Sequence, residues 1–502
     1  MKPTEYIPVK NNQVIALKDI PEYDYEFFLE LNVGFLKDNP ARHCVNYFGF
    51  ASGNDVKLIC CMADDETHVI DVSSSLVGHA AMLPSFTAQH PNFEKFEREI
   101  HENFGINYTD HPWLKPMRYA HDRADQQQKI ANYPFYEVES EELHEVGVGP
   151  IHAGIIEPGH FRFICNGEQI MHLEIQLGYQ HRGIEQLFLV KKKLLERTTL
   201  AENITGDTVV GHTTAFVNLW ESLCGYTPDP SLLWARTLAL ELERIAVHTG
   251  DLGGICADMA YQLGESVFGR LRTPIINFLQ EWGGSRFAKG LIRAGKINFP
   301  FTAELAERLQ TVLNTYEPDF DEMAQKLFSL SSSLSRMEKT GILTYDQLLE
   351  IGTVGMAARM NALPRDIRSS HPFCLYETMN HEPIIKHHGD VYSRAQIRKL
   401  EIKQSIGYIR ELLKNVPTFK KPTDAIFEPK PNAFVLTLVE GWRGEICHCA
   451  ITDAEGELHL YKIKDPSHHN WMALAQAVRN NDISDFPICN KSFNLSYSGH
   501  DL

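Results

Sequence analysis

The chain has 502 residues, 43% of them hydrophobic, and a formal net charge of −17 at pH 7. That size and composition suit two or three globular domains with sizeable cores. The acidic balance is spread along the chain and argues against nucleic acid as the main partner, because phosphate binding wants a basic face.

The first residues hold no long apolar run, so no signal peptide is expected. No window of about 18 apolar residues marks a membrane span. Residues 1 to about 125 read as a small α/β domain. Val56–Met62 and Glu66–Val72 are expected to be neighbouring strands, with Ala63, Asp64 and Asp65 as the turn. Phe93, Phe96, Ile100 and Phe104 recur near helical spacing and predict a helix over 93–104. The polar stretch Ala120–Lys129 lacks periodicity and leads into a linker placed at 126–135.

The second domain is placed at 136–502. Short β-like runs over 153–156, 160–164 and 169–174 are separated by the turn signals Pro158-Gly159 and Asn166-Gly167. From Arg182 to about Leu412 the chain reads as mostly helical. Its best helix covers 232–248, with Gly250 as the stop signal. Others run from Asp346 towards Arg359 and from Arg394 to Leu413. Strands return over 434–449 and 458–463 with Gly456 in the turn between, and a short helix over 470–478 precedes the tail. The expected fold class is α+β: a small N-terminal α/β domain, then a mainly α-helical domain with small β elements at both ends.

Ten cysteines are scattered, and none forms a C-x-x-C pair. They read as free thiols in a reducing compartment and give no basis for an iron–sulfur cluster within this chain alone. Cys447 and Cys449 read as structural thiols. The pairs His387-His388 and His468-His469 read as surface or packing residues, since adjacent histidines point apart. No glycine-rich nucleotide fingerprint is visible.

Several segments carry a family resemblance. Phe96–Ile106 (F-E-R-E-I-H-E-N-F-G-I) and Asp110–Leu114 (D-H-P-W-L) resemble the 30 kDa subunit of respiratory complex I. Gly149–His152 (G-P-I-H), Glu157–Arg162 (E-P-G-H-F-R), Gly178–Glu185 (G-Y-Q-H-R-G-I-E), Glu241–Asp251 (E-L-E-R-I-A-V-H-T-G-D), Gly389–Arg394 (G-D-V-Y-S-R) and Val439–Glu445 (V-E-G-W-R-G-E) follow in family order. They resemble the 49 kDa subunit and, more closely, the large subunit of group 4 (energy-converting) nickel–iron hydrogenases. In those hydrogenases the stretches matching Ala201–His212 and Asp485–Leu502 each carry a Cys-x-x-Cys pair. Here the four positions are Thr205, Thr208, Ser496 and Gly499. Nickel and low-spin iron need soft thiolate ligands, so the hydrogenase chemistry is expected to be absent.

The resemblance implies an N-terminal assembly domain without a redox centre and a second domain shaped like a hydrogenase large subunit. It implies a large subunit of a membrane-associated, ion-translocating oxidoreductase complex, peripheral on the cytoplasmic side of the cell membrane. No cofactor is expected in this chain. Electrons would come from a [4Fe–4S] cluster in a small partner subunit of the 20 kDa type, beside antiporter-like membrane subunits, and pass to an unidentified acceptor. The alternatives are a quinone-reducing subunit, as in complex I, and a non-catalytic structural coupling subunit.

The candidate site residues follow the same resemblance. Arg443 matches the arginine over the hydrogenase metals; read by itself it could equally pair with a nearby acid such as Glu440. Glu157 matches a proton-relay glutamate, and otherwise reads as a turn residue. His212 matches a retained histidine and could be a proton donor or a buried core histidine. Asp207 sits between Thr205 and Thr208, where it either makes a protonatable pocket or caps a helix. His152 and His160 are the candidates for a quinone or substrate pocket. Tyr179 and His181 read as packing residues.

Overall fold

The computed structural model describes residues 5–37, 39–152, 156–420 and 427–502. The first 125 residues supply β1 (Ile7–Val9), β2 (Val14–Ala16), β3 (Glu22–Tyr23), α1 (Tyr25–Lys37), β4 (Arg42–Ser52), β5 (Asp55–Asp64), β6 (Val69–Gly78), β7 (Met82–Pro84), α2 (Glu94–Phe104) and β8 (Asn107–Thr109). The sheet runs β1-β6-β5-β4, antiparallel throughout, with β3 joining β6 in parallel. The two expected strands are present, but the turn between them is displaced. Ala63 and Asp64 lie in β5, and the chain turns at 65–68 because Asp64 Oδ1 accepts the amides of Glu66 and Thr67, both at 3.1 Å. The expected helix over 93–104 is α2, and Gly105 ends it in the left-handed region. Burial alternates across the sheet. Tyr47, Leu58 and Cys60 pack with Phe28 and Phe96 of α1 and α2, whereas Val45, Phe48, Ile59 and Cys61 face the second domain.

The second part begins with the three-stranded sheet β9 (His144–Val148), β10 (His160–Asn166) and β11 (Gln169–Gln176). The strand expected over 153–156 falls largely on 153–155, outside the described residues. The helical body holds α3 (Ile184–Val190), α4 (Leu194–Ala201), α5 (Val209–Leu223), α6 (Pro230–Asp258) and α7 (Gln262–Gly283). After the short strands β12 (Ile292–Arg293) and β13 (Lys296–Ile297) come α8 (Ala303–Leu327), α9 (Ser331–Met337), α10 (Tyr345–Ile351), α11 (Met356–Arg359), α12 (Ile367–Ser370) and α13 (Val391–Lys414). The C-terminal part holds β14 (Ala433–Glu440), β15 (Glu445–Thr452), β16 (Leu458–Lys464), α14 (Ser467–Ala477), α15 (Phe486–Phe493) and α16 (Tyr497–Asp501). The fold class is therefore mixed α+β, with a β-rich N-terminal domain and a larger, mainly helical domain. Among the described residues no helix is long and apolar enough to cross a membrane.

Three boundaries differ from the sequence reading. Gly250 does not stop its helix; α6 continues to Asp258. A β-carbon at Gly253 would make ordinary contact with Phe268 Cβ of α7 at 3.4 Å, and one at Gly254 would meet the end of the Lys491 side chain at 2.2 Å. The helix expected from Asp346 to Arg359 is two helices, broken by Gly352 and Gly355 at positive φ. The strand expected over 434–449 is a hairpin, β14 and β15, turning at Gly441–Gly444.

The sheet β16-β15-β14-β2 occupies the centre of the molecule. Every residue of β14 and β15 is buried, as expected of strands covered on both faces. Its edge strand β2 comes from the first 125 residues and pairs Val14–Ala16 with Ala433–Val435. One face of this sheet packs with α3 and α5, and the other meets Val45, Ile59 and Cys61 of the N-terminal sheet in one continuous core.

Candidate functional site

The four positions that would be cysteines come together, from segments nearly 300 residues apart. Thr205 Oγ1 and Ser496 Oγ share a hydrogen bond of 2.9 Å. Thr205 Oγ1 and Thr208 Oγ1 each donate to Asp207 Oδ1 at 3.2 Å. Ser496 caps α16, its Oγ accepting the amide of Gly499 at 2.9 Å. The fourth position has no room for a side chain, since a β-carbon on Gly499 would lie 2.7 Å from Asp465 Cγ. The donor set is thus three hydroxyls, two of them bonded to each other and two of them bonded to Asp207, and a glycine. It does not fit a nickel–iron centre, which needs four soft thiolates. Among the described residues no three His, Cys, Asp or Glu are placed to hold a metal ion.

Arg443 reaches this cluster from the β14–β15 turn. Gly444 has φ +140°, and a β-carbon there would meet Gly355 Cα at 2.7 Å, so two glycines let the turn press onto the 355 backbone. Arg443 grips Asp207 with both terminal nitrogens, each at 2.6 Å. It also donates to Thr208 Oγ1 at 3.0 Å and to Asn494 O at 2.6 Å, and lies 4.0 Å over the Trp442 ring. The alternative partner Glu440 is engaged by Arg359 instead, at 3.0 Å. Asp207 is not the cap of α5 and accepts no amide there; Thr208 holds the cap position. The first amides of α5, Val210 and Gly211, are held by the carboxylate of Glu243 at 2.7 and 3.1 Å. Burial, with the Asp207 charge adding to it, pushes the Glu243 carboxyl up to about 8 against the pull of those two amides.

Asp465 opens a buried hydrogen-bonded chain. Its Oδ2 lies 3.0 Å from His212 Nε2, His212 Nδ1 lies 3.1 Å from His448 Nε2, and His448 Nδ1 lies 2.7 Å from the Tyr461 hydroxyl. All four groups are essentially without exposure. Burial raises the Asp465 carboxyl, but the bond and charge of His212 outweigh it and hold the group below its ordinary value. Burial holds His448 well below the usual imidazole range, with His212 adding to it. These contacts allow every donor to point one way, from Tyr461 towards Asp465. His212 is therefore a buried histidine bonded at both nitrogens, and one link in a chain that begins at the former metal site.

The remaining candidates have more local partners. Glu157, half-buried, accepts the amides of Tyr497 and Ser498 at 3.3 and 3.5 Å, in the first turn of α16. His152 Nε2 bonds Gly159 O at 2.8 Å and His160 Nδ1 bonds Gly149 O at 3.0 Å. Both histidines brace their own hairpin through these bonds. His181 bonds Asp501 O at 2.7 Å and Tyr179 bonds Gln176 at 2.9 Å.

Sequence reasoning did not single out Asp465, His448, Tyr461 or Glu243. Asp465 stands directly before Pro466-Ser467, and Glu243 lies in the E-L-E-R motif, so each carried a local signal. Behind Arg443 lies further buried charge. Asp251 receives Arg398 at 3.0 Å and Asn494 at 2.8 Å. Glu401 receives His248, Arg359 and Arg368 at 2.7, 2.7 and 2.9 Å. The guanidinium groups hold Glu401 well below the carboxylate range despite burial.

Comparison with known proteins agrees with this architecture. The family described as the 30 Kd subunit of respiratory-chain NADH dehydrogenase matches residues 17–127, and the 49 Kd subunit family matches 264–432. The former ligand segments lie outside both stretches. "Hydrogenase-4 component G" of Escherichia coli is 28% identical over 435 residues, covering 83% of this chain and 75% of that one. "Formate hydrogenlyase subunit 5" of the same organism is 27% identical over 435 residues, covering 83% and 76%. An NADH-quinone oxidoreductase protein of Phocaeicola vulgatus is 23% identical over 417 residues, covering 76% and 79%. These relationships imply an electron-transfer role in a related oxidoreductase complex. The chain is a fusion of a complex I 30 kDa-like domain with a domain of the 49 kDa and hydrogenase large-subunit type, related to complex I and the group 4 hydrogenases.

Proposed function

We propose that this chain is the large subunit of a membrane-associated, ion-translocating oxidoreductase complex in which the former metal site handles protons instead of hydrogen. Electrons arrive from a [4Fe–4S] cluster in a small partner subunit of the 20 kDa type and pass to an acceptor at this subunit. Antiporter-like subunits on the membrane side carry the ion movement, and the chain sits peripherally on the cytoplasmic face. One observation supports this reading above others. The lost ligand positions still converge, and what joins them is a set of hydroxyls, two carboxylates and an arginine, continued inward by Asp465, His212, His448 and Tyr461. Such groups exchange and store protons, and they offer no soft ligand.

The test is turnover of the whole complex, reconstituted in vesicles and driven by a reduced viologen, with duroquinone among the acceptors tried. Asp207→Asn, His212→Gln and Arg443→Ala are each expected to lower coupled ion movement at least tenfold. If none of the three alters turnover or ion movement, the chain is a structural coupling subunit and the reading fails.

A further inference from the structure

A second line of titratable groups, which shares no residue with the Asp207–Arg443 pair, crosses the seam between the two domains. It starts at a surface groove of about 460 Å³ whose lining includes Asp65, Glu66, His68, Tyr345, Arg365 and Ser370. Asp65 Oδ2 lies 3.7 Å from His43 Nδ1. His43 Nε2 lies 2.7 Å from Glu445 Oε2, and Lys464 Nζ bonds the other oxygen of that carboxylate at 2.5 Å. Lys464 Nζ is also 3.2 Å from His469 Nε2, and the His469 ring is 5.6 Å from that of His468. His43 lies on β4 and Asp65 in the turn after β5, both in the N-terminal domain, and Glu445, Lys464, His469 and His468 belong to the C-terminal domain. His43, Glu445, Lys464, His469 and His468 are each at most 4% exposed.

Two features separate this line from an ordinary buried ion pair. The first is unsatisfied polarity. Both ring nitrogens of His468, Nε2 of its neighbour His500 and Nδ1 of His43 have no hydrogen-bond partner in the protein. Buried imidazole nitrogens of that kind are normally completed by internal water. The second is the arrangement of charge. Lys464 and His43 outweigh burial and hold Glu445 well below the carboxylate range. Burial keeps His468 and His469 well below the imidazole range, with Lys464 facing His469 and Lys95 and Arg118 facing His468. One fixed ion pair thus stands beside two neutral histidines, His469 and His468.

We propose that this line is a water-threaded proton path from the Asp65 groove, across the domain seam, to His468. A proton taken up at Asp65 passes to His43 and forms a second cation beside Glu445. The hold of Glu445 on Lys464 weakens, and Lys464 passes one proton to His469. One proton enters and one moves on; Glu445 then relays the His43 proton to Lys464, protonated only in passing, so that His43, Glu445 and Lys464 all return to their starting states. The path ends among the segments 465–468 and 496–500, which close the former metal site. Its use in turnover rests on the proposed function, but its existence does not.

Deuterium exchange at the imidazole Cε1 of the full chain tests it without any turnover. That exchange needs water at the ring and is read residue by residue by tandem mass spectrometry. His448 serves as the internal reference, since it is equally buried but bonded at both nitrogens. His468 is expected to exchange at least tenfold faster than His448. Asp65→Asn is expected to slow exchange at His43 and His468 several-fold, while Glu66→Gln, in the same groove but off the path, leaves both unchanged. Exchange at His468 as slow as at His448 overturns the proposal. So does an equal effect of the two substitutions, or no effect of Asp65→Asn in a variant that melts like the wild type.

Discussion

Asp465 stands in the space that any side chain at residue 499 would need. A β-carbon on Gly499 would lie 2.7 Å from Asp465 Cγ and 3.0 Å from Ser496 Oγ. A cysteine at 499 and the present position of Asp465 exclude each other. Gly499→Ala should destabilise the chain by about 1–3 kcal/mol, the usual range for overpacking a filled interior. In an Asp465→Ala background the same change should cost much less, because the collision is gone. A double-mutant cycle in urea measures the difference, and additive costs would show that the two residues do not compete for the same space.

Arg443 and Asp207 form a two-pronged pair in which the arginine is buried and the carboxylate is 33% exposed. Asp207→Ala leaves the guanidinium without its carboxylate. Complete burial of such a loss costs about 3–5 kcal/mol; with Asp207 partly screened by solvent, about 1–3 kcal/mol is expected. Arg443→Lys should recover little of it, since an ammonium cannot hold both oxygens in parallel. Equal stability of Arg443→Lys and the wild type would show that the fork contributes nothing.

Glu243 gives a pH signature. Its carboxyl titrates near an ordinary 4.5 when unfolded and is pushed up to about 8 in the folded chain, first by burial. Between those values the unfolded state binds fewer protons than the folded one, so stability falls as pH rises. The contribution is full below about pH 4.5 and is lost as pH passes about 8. Glu440, also pushed up to about 8, adds a slope of the same sign. Glu243→Gln keeps a neutral acceptor for the Val210 and Gly211 amides and removes the slope that Glu243 contributes. Its denaturation midpoint should therefore gain on the wild type between about pH 5 and pH 8. Parallel profiles across that range would contradict the assignment.

Much of the fold was legible because local pattern and tertiary role agree. The apolar spacing of Phe96 and Ile100, with the partly buried Phe104, marks the core side of α2, and the largely apolar runs around 434–439 and 446–451 are strands covered on both faces. Long-range contacts were not legible. Gly250 reads as a stop, yet α6 runs on to Asp258, packed against α7. The partner of Arg443 is 236 residues away, whereas the sequence offered only the neighbouring Glu440. The absence of cysteine at the four positions was legible and argued against a nickel–iron centre. That Asp465 lies against Gly499, and that His212 continues inward to Tyr461, was not legible; the latter depends on the pairing of β15 with β16, which places His448 and Tyr461 on one face.

The most direct test of the central claim is isolation of the tagged full chain from gently solubilised membranes, with its partners identified by mass spectrometry and its nickel and iron quantified. The account predicts a small partner with a [4Fe–4S] cluster, antiporter-like membrane proteins, iron in keeping with that cluster, and nickel far below one per chain. Recovery of the chain alone or with soluble proteins only, or stoichiometric nickel, would contradict it.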